Sequence, residues 1–479
     1  VTVKNNKNRR AEDRGHLRGS PFRQPISFFD GGAMSHAALK STPRQFTPAF
    51  SAAVASLFAA GVLAVSTAHA QQPAPAAPSP AQVQKSEPAL APPGAATAPP
   101  AAPPSWQQGR STEHAKSTLH PFAPILTGRP ASELPLNKLK VPAGFKVEVW
   151  AEGVPEARSL ALGDKGTVFV SNRNLSSVYA IVDRGGKREV KQLLKGLKAP
   201  NGVAFSKGTL FVAERHRITR YDGIEERLDN PPEAKVVIDN LDPTNQAGHF
   251  WKYLALGPDG KLYFNIGAPG NIVMPSYMQA SVNRVDPSTG VMEKFSEGVR
   301  NSVGFDWHPK TKELWFTNHG RDWLGDDLPN DTLHRASRKN MNFGYPFCHQ
   351  GDIVDPEFGK GRSCKEFDAP AAKLGPHIAP LGMRFYNGKM FPAEYRDNIF
   401  IAMHGSWNRS TKHGYNVMRV TLDGKGNAKM TPFLEGFLDD PKADPPMWGR
   451  PVDVLVLRDG SMLVSDDYNG VIYRISHGK

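Results

Sequence analysis

The chain has 479 residues with 59 Lys and Arg against 46 Asp and Glu, a formal charge of +13, and 39% hydrophobic residues, enough for a large globular core. The positive excess is unevenly placed: residues 1–33 carry +4, residues 34–70 carry +2 and residues 71–110 carry +1, which leaves about +6 for the remainder. A nucleic-acid-binding reading loses its main support, because no basic stripe with interleaved aromatics survives that subtraction.

Residues 1–33 show neither a strand nor a helix period and read as an upstream extension ahead of Met34. From Met34 the pattern is an export signal over 34–70: Lys40 and Arg44, the apolar run Ala49–Val65, then "STAHA" with small residues at Ala68 and Ala70. The expected location is therefore periplasmic. An uncleaved anchor helix is the alternative, and it would be the chain's one connection to a membrane; the run is short and alanine-rich for that role. Residues 71–110 begin with "QQPAPAAPSPAQVQ" and read as a disordered Pro/Ala-rich linker. The globular domain is expected over 111–479.

Within that domain a hairpin module recurs: "LALGDKGTVFVSN" (160–172), "GVAFSKGTLFVAE" (202–214), "LALGPDGKLYFNIG" (254–267), "GFDWHPKTKELWFTN" (304–318), "FPAEYRDNIFIAMHG" (391–405) and "VLVLRDGSMLVSDD" (454–467). Each is an apolar strand, a polar turn and a second apolar strand that stops at a polar loop. Six such units predict an all-β fold, a six-bladed β-propeller. "FKVEVWAEGV" (145–154) is expected to close the ring beside the last blade. Cys348 and Cys364 share one irregular segment, an insertion expected between blades four and five over about residues 335–380, and, in an exported chain, are expected to form a local disulfide.

Polar residues just after the inner strands converge on a propeller's channel, so those loops hold the candidate chemistry. His249, ahead of an apolar strand in "NQAGHFWKYLALG", is a candidate general base. Arg300 and Asn301 precede another strand in "EGVRNSVGFDW", offering a planar fork and a donor–acceptor amide. "TNHGRDWLGDDLPND" places Asp322, Asp326, Asp327 and Asp331 within fifteen residues, and clustered carboxylates need a cation or arginines. A hard-oxygen Ca²⁺ site and a solvated acidic loop are both open readings, but the spacing is not that of an EF-hand. His404, Arg409 and Arg450 add histidine and cations, which together imply an anionic ligand. There is no CxxCH haem motif and no strand-linked GxGxxG.

The runs "AGHFWKYLALGPDGKLYF", "GVRNSVGFDWHP", "HGRDWLGDDLPNDTLH" and "GRPVDVLVLRDGSMLVSDDYNGVIYRI", in this order, resemble the glucose/sorbosone dehydrogenase family, and the L-sorbosone dehydrogenase branch most closely. The resemblance covers about residues 135–479. It implies a six-bladed propeller that uses pyrroloquinoline quinone (PQQ) and Ca²⁺ to oxidise a sugar, with electrons passed to a separate quinone or cytochrome. It further implies that His249 is the catalytic base, that Arg300 stabilises developing charge, and that Asn301, Asp331 and Arg450 serve the cofactor site. Gly320 and Arg321 fall where main-chain carbonyls hold Ca²⁺. The family's cofactor-binding lysine has no clear counterpart, and "IAMHGSWNR" offers His404 or Arg409 in its place. Two further readings stand beside this one: a Ca²⁺-dependent lactonase using Glu214, Asn271 and Asp466, and a non-catalytic propeller scaffold.

Overall fold

The computed structural model describes residues 105–121, 126, 128–242, 248–423 and 426–478. The expected extension, the expected signal and most of the expected linker lie outside these residues. No helix among the described residues is long and apolar enough to cross a membrane.

The second strand of each blade is the most apolar, and the packing explains why. In Val168–Asn172, Val168 and Val170 face the core shared with the last blade, whereas Phe169 faces the core shared with the second. A strand buried on both faces cannot alternate apolar with polar residues. The same holds for Thr209–Ala213, Leu262–Ile266, Leu314–Asn318, Ile399–Met403 and Met462–Asp466.

These strands belong to six sheets, antiparallel throughout except that Met341–Asn342 adds parallel to Met292–Glu297 in blade 3. The first strands, Leu160–Leu162, Gly202–Ser206, Leu254–Leu256, Phe305–Trp307, Pro380–Phe385 and Pro451–Val456, stand innermost. The last of them approaches both the fifth and the first, which closes the circle. Apolar clusters fill each interface between neighbouring blades. The fold is an all-β, six-bladed β-propeller. Its closure is the expected one: Phe145–Ala151 pairs antiparallel with Val471–His477, so the sixth blade combines one strand from the start of the domain with three from its end.

Two details differ from the sequence reading. The inner strand of blade 5 is Pro380–Phe385 rather than the stretch after Phe391, which forms a 3-10 turn at Ala393–Tyr395. The cysteine-bearing insertion lies inside blade 4, between strands Asn330–Ala336 and Ala372–Pro376, rather than between blades 4 and 5. Cys348 and Cys364 are joined in it by a disulfide, as expected.

Candidate active site

The loops that enter the innermost strands and those that leave the second strands surround a cavity of about 420 Å³. His249, Arg300, Asn301, Gly320, Asp331, His404 and Arg450 all line it. Arg321 and Arg409 do not. The Arg321 guanidinium turns outward to Asp355 (2.7 Å) and Glu357 (2.8 Å), leaving its backbone as the part next to Gly320. Arg409 sits behind the rim, bound to the Asp326 carbonyl and to Asp327 at 2.9 Å.

His249 is positioned by the end of the blade 3 strand Leu262–Ile266. Its backbone N–H donates to the Ala268 carbonyl at 3.0 Å, and ring Nδ1 lies 3.0 Å from the same oxygen. A carbonyl only accepts, so Nδ1 carries the proton and Nε2 keeps its lone pair. Burial, the neighbouring Arg300 charge and His319 hold the ring well below the usual histidine range, so it is neutral. Gly267 permits this approach: a Cβ there would stand 2.5 Å from the His249 Cβ.

Arg300 is fixed by Asn271, with Nε to its carbonyl at 2.8 Å and Nη2 to its Oδ1 at 2.9 Å, and it pairs with Asp322 at 3.1 Å. Asn301 donates Nδ2 to His319 Nδ1 at 3.1 Å, and His319 Nε2 donates to the Pro380 carbonyl at 3.0 Å. His319 is thereby a fixed neutral ring, with burial lowering its pKa to about 4.

On the opposite side one carboxylate organises the cations. Asp467 accepts from Arg158 at 2.6 Å, from Arg450 at 2.7 Å and from His404 at 3.0 Å. Burial opposes its charge, but Arg450, His404 and Arg158 together keep it well below the usual carboxylate range. Burial and Arg450 lower the His404 pKa to about 3. Arg173 also lines the cavity. It stacks over Trp251 at 4.3 Å and lies 3.6 Å from Glu156, and burial and Arg158 bring its pKa down to about 9. Arg158, Arg173 and the cavity-lining Trp106 and Trp407 were not among the sequence candidates.

The four aspartates do not act as one cluster. Asp322 pairs with Arg300, Asp326 accepts from the Ser410 backbone N–H at 3.0 Å, and Asp327 meets Arg409. Asp331 accepts from the N–H groups of Gly320 (2.7 Å) and Ala379 (2.8 Å), and burial pushes its pKa up to about 6. Among the described residues no three His, Cys, Asp or Glu side chains gather as a metal-binding group. Of the lactonase candidates only Asn271 lines the cavity. Glu214 is held by Arg217 and the Lys198 N–H, and Asp466 by Asn469 and Tyr473.

The fold and site thus define a six-bladed propeller with a neutral histidine and four arginines around one channel-mouth cavity. The chain belongs to the TrAA12-like family, which matches residues 139–478. It is 32% identical over 361 residues to an uncharacterized protein of Borreliella burgdorferi, a match covering 73% of this chain and 93% of the relative. It is 23% identical over 355 residues to the pyrroloquinoline quinone-dependent pyranose dehydrogenase of Coprinopsis cinerea, covering 63% of this chain and 47% of the relative, so it spans about half of that protein's length. Among solved structures it is similar to the calcium structure of a Trichoderma reesei enzyme of family AA12, with a TM-score of 0.63 and 19% identity over 71% of this chain and 97% of that one. The holo PQQ domain of the Coprinopsis cinerea pyranose dehydrogenase gives a TM-score of 0.61 at 18% identity, covering 74% of this chain and 99% of that one. The fold is therefore that of the PQQ-dependent sugar dehydrogenases, in agreement with the sequence resemblance.

Proposed function

We propose that the protein is an exported, PQQ- and calcium-dependent sugar dehydrogenase that passes electrons to a separate quinone or cytochrome. The observation that carries this reading is one cavity lined both by a histidine with its Nε2 lone pair kept available and by four arginines, Arg158, Arg173, Arg300 and Arg450.

The residues present suit PQQ, a planar tricarboxylate. Arg158, Arg173 and Arg450 would take its carboxylates, and His404 stands where the family's lysine is expected. Arg158 has five guanidinium N–H groups; Nε goes to Asn201 and Nη1 to Asp467, which leaves Nη2 for a ligand. Calcium would rest on the carbonyls of Gly320 and Arg321, with Asp331 fixing the turn through the Gly320 N–H. When bound, PQQ with calcium supplies a quinone that accepts a hydride. The chain's own part is to take the substrate hydroxyl proton at His249 Nε2 and to hold the oxygen beside Arg300, where the guanidinium stabilises developing charge.

The test is dye reduction by the purified protein loaded with PQQ and Ca²⁺, against aldoses and L-sorbosone. The expected result is cofactor-dependent turnover that His249→Ala lowers by about 10²- to 10⁴-fold, with PQQ affinity kept. A folded protein that binds no PQQ would overturn the proposal.

A further inference from the structure

Ser105–Gln107 forms a 3-10 turn, and residues 105–110, assigned from sequence to the linker, lie across the channel mouth as a strap. The strap is knotted to Asn271, whose N–H meets Gln108 Oε1 at 3.0 Å and whose Nδ2 donates to the Gln108 carbonyl at 2.6 Å. Asn271 is also the residue that fixes Arg300, so the strap sits on the His249 side of the cavity. Arg321 donates to the Gly109 carbonyl at 3.1 Å, and Trp323 Nε1 donates to the Trp106 carbonyl at 2.6 Å.

Two glycines make room for it. Gly109 has φ +68°, and a Cβ there would stand 2.2 Å from the Arg321 guanidinium; a Cβ on Gly270 would stand 1.8 Å from Gln108 Oε1. The close fit on both sides, joined to the hydrogen bonds, makes the strap part of the site's wall. It brings Trp106 into an aromatic corner, edge-on to Trp407 at 5.9 Å (86°) and 6.3 Å from Trp323. Trp323 is buried behind, while Trp106 and Trp407 are half-buried and line the cavity.

Resting on the dehydrogenase reading, we infer that the Ser105–Arg110 strap is a wall of the substrate subsite, with Trp106 packing on the carbon-bound face of a single sugar ring held for His249. A sugar ring presents C–H groups on a face and hydroxyls at its edge, which matches an indole beside an arginine and a histidine base.

The test uses the full chain loaded with PQQ and Ca²⁺, with D-glucose and L-sorbosone as probes and both dye reduction and tryptophan fluorescence as readouts. Trp106→Ala is expected to raise KM about tenfold with kcat and PQQ affinity held, a loss of about 1.4 kcal/mol in substrate binding. Trp106→Phe is expected to recover most of it. Gly270→Ala, which keeps every strap side chain but displaces the Gln108 carboxamide, is expected to raise KM in the same sense. An unchanged KM in Trp106→Ala overturns the inference. If the wild type binds no PQQ, the dehydrogenase reading falls and fluorescence alone decides the strap. Sugar-dependent quenching lost in Trp106→Ala supports it; quenching absent from the wild type or unchanged in the variant overturns it.

Discussion

Asp467→Asn removes the one negative charge shared by Arg158, Arg450 and His404 while keeping the size of the side chain. The two arginine contacts, at 2.6 and 2.7 Å, are each worth about 6 kcal/mol of attraction at an effective dielectric near 20, largely offset by the cost of burying the charges. Taking away one partner of such a group exposes the uncompensated cost, about 3–5 kcal/mol. Asparagine retains an acceptor oxygen, so the lower end, about 3 kcal/mol, is expected. With a urea slope of about 3 kcal/mol per M, the unfolding midpoint followed by tryptophan fluorescence should fall by about 1 M with the slope unchanged. Added PQQ should recover more of the midpoint in the variant than in the wild type, because a polyanion would then meet two guanidinium groups that have lost their shared carboxylate. A midpoint within about 0.2 M of wild type would refute the reasoning, since it would mean the arginines are satisfied without the carboxylate.

His334 is stacked on Phe316 with its Nε2 2.8 Å from Thr332 Oγ1, and burial lowers its pKa from 6.5 to about 3. The unfolded chain therefore takes up a proton below pH 6.5 that the folded chain refuses, so stability is full above pH 6.5 and declines down to about pH 3. His334→Gln should shrink the loss of stability between pH 7 and about pH 5 by about 2 kcal/mol, read from urea midpoints at both values. By the same sign, His249 stays unprotonated, so the acid limb it sets on kcat/KM should lie below pH 6.5; a limb at or above that value counts against it as the base. Cys348→Ser with Cys364→Ser opens a loop of sequence separation 16 and should cost about 3 kcal/mol in global unfolding. Phe145→Ala empties a site packed by Phe391 (4.8 Å), Tyr395 (5.0 Å) and Phe433 (5.1 Å), and calorimetry should register a loss of about 3–5 kcal/mol.

The architecture was legible because each blade repeats one hairpin whose second strand is buried on both faces. Blade 5 was placed wrongly for a local reason. "PLGMRF" opens with proline and contains Gly382, both poor strand signals, yet a Cβ at Gly382 would stand 2.0 Å from Asp453 Oδ1. "FPAEY" looked like a strand because Phe391 and Tyr395 do enter the core, but from a turn. In the site, His249, Arg300 and Arg450 were visible as polar residues just ahead of inner strands. Arg158 stands at the same place, two residues before Leu160, and that positional signal was available in the repeat. Arg173 and Trp106 gave no comparable sign: one follows the second strand of blade 1 as an ordinary loop cation, and the other comes from a segment whose docking depends on Asn271, 163 residues away from Gln108.

The composite sixth blade has a consequence for the order in which the protein matures. Phe145–Ala151 has no strand partner until Val471–His477 has been made, and Arg158 lacks its directly bonded carboxylate until Asp467 has been made. The ring and the cation pair across its seam are thus completed by the same last stretch of chain. A polypeptide released before residue 467 would carry His249 and all four cavity arginines but no closed cavity to hold them. Anion capture at this mouth would report that synthesis had passed the strand Val471–His477.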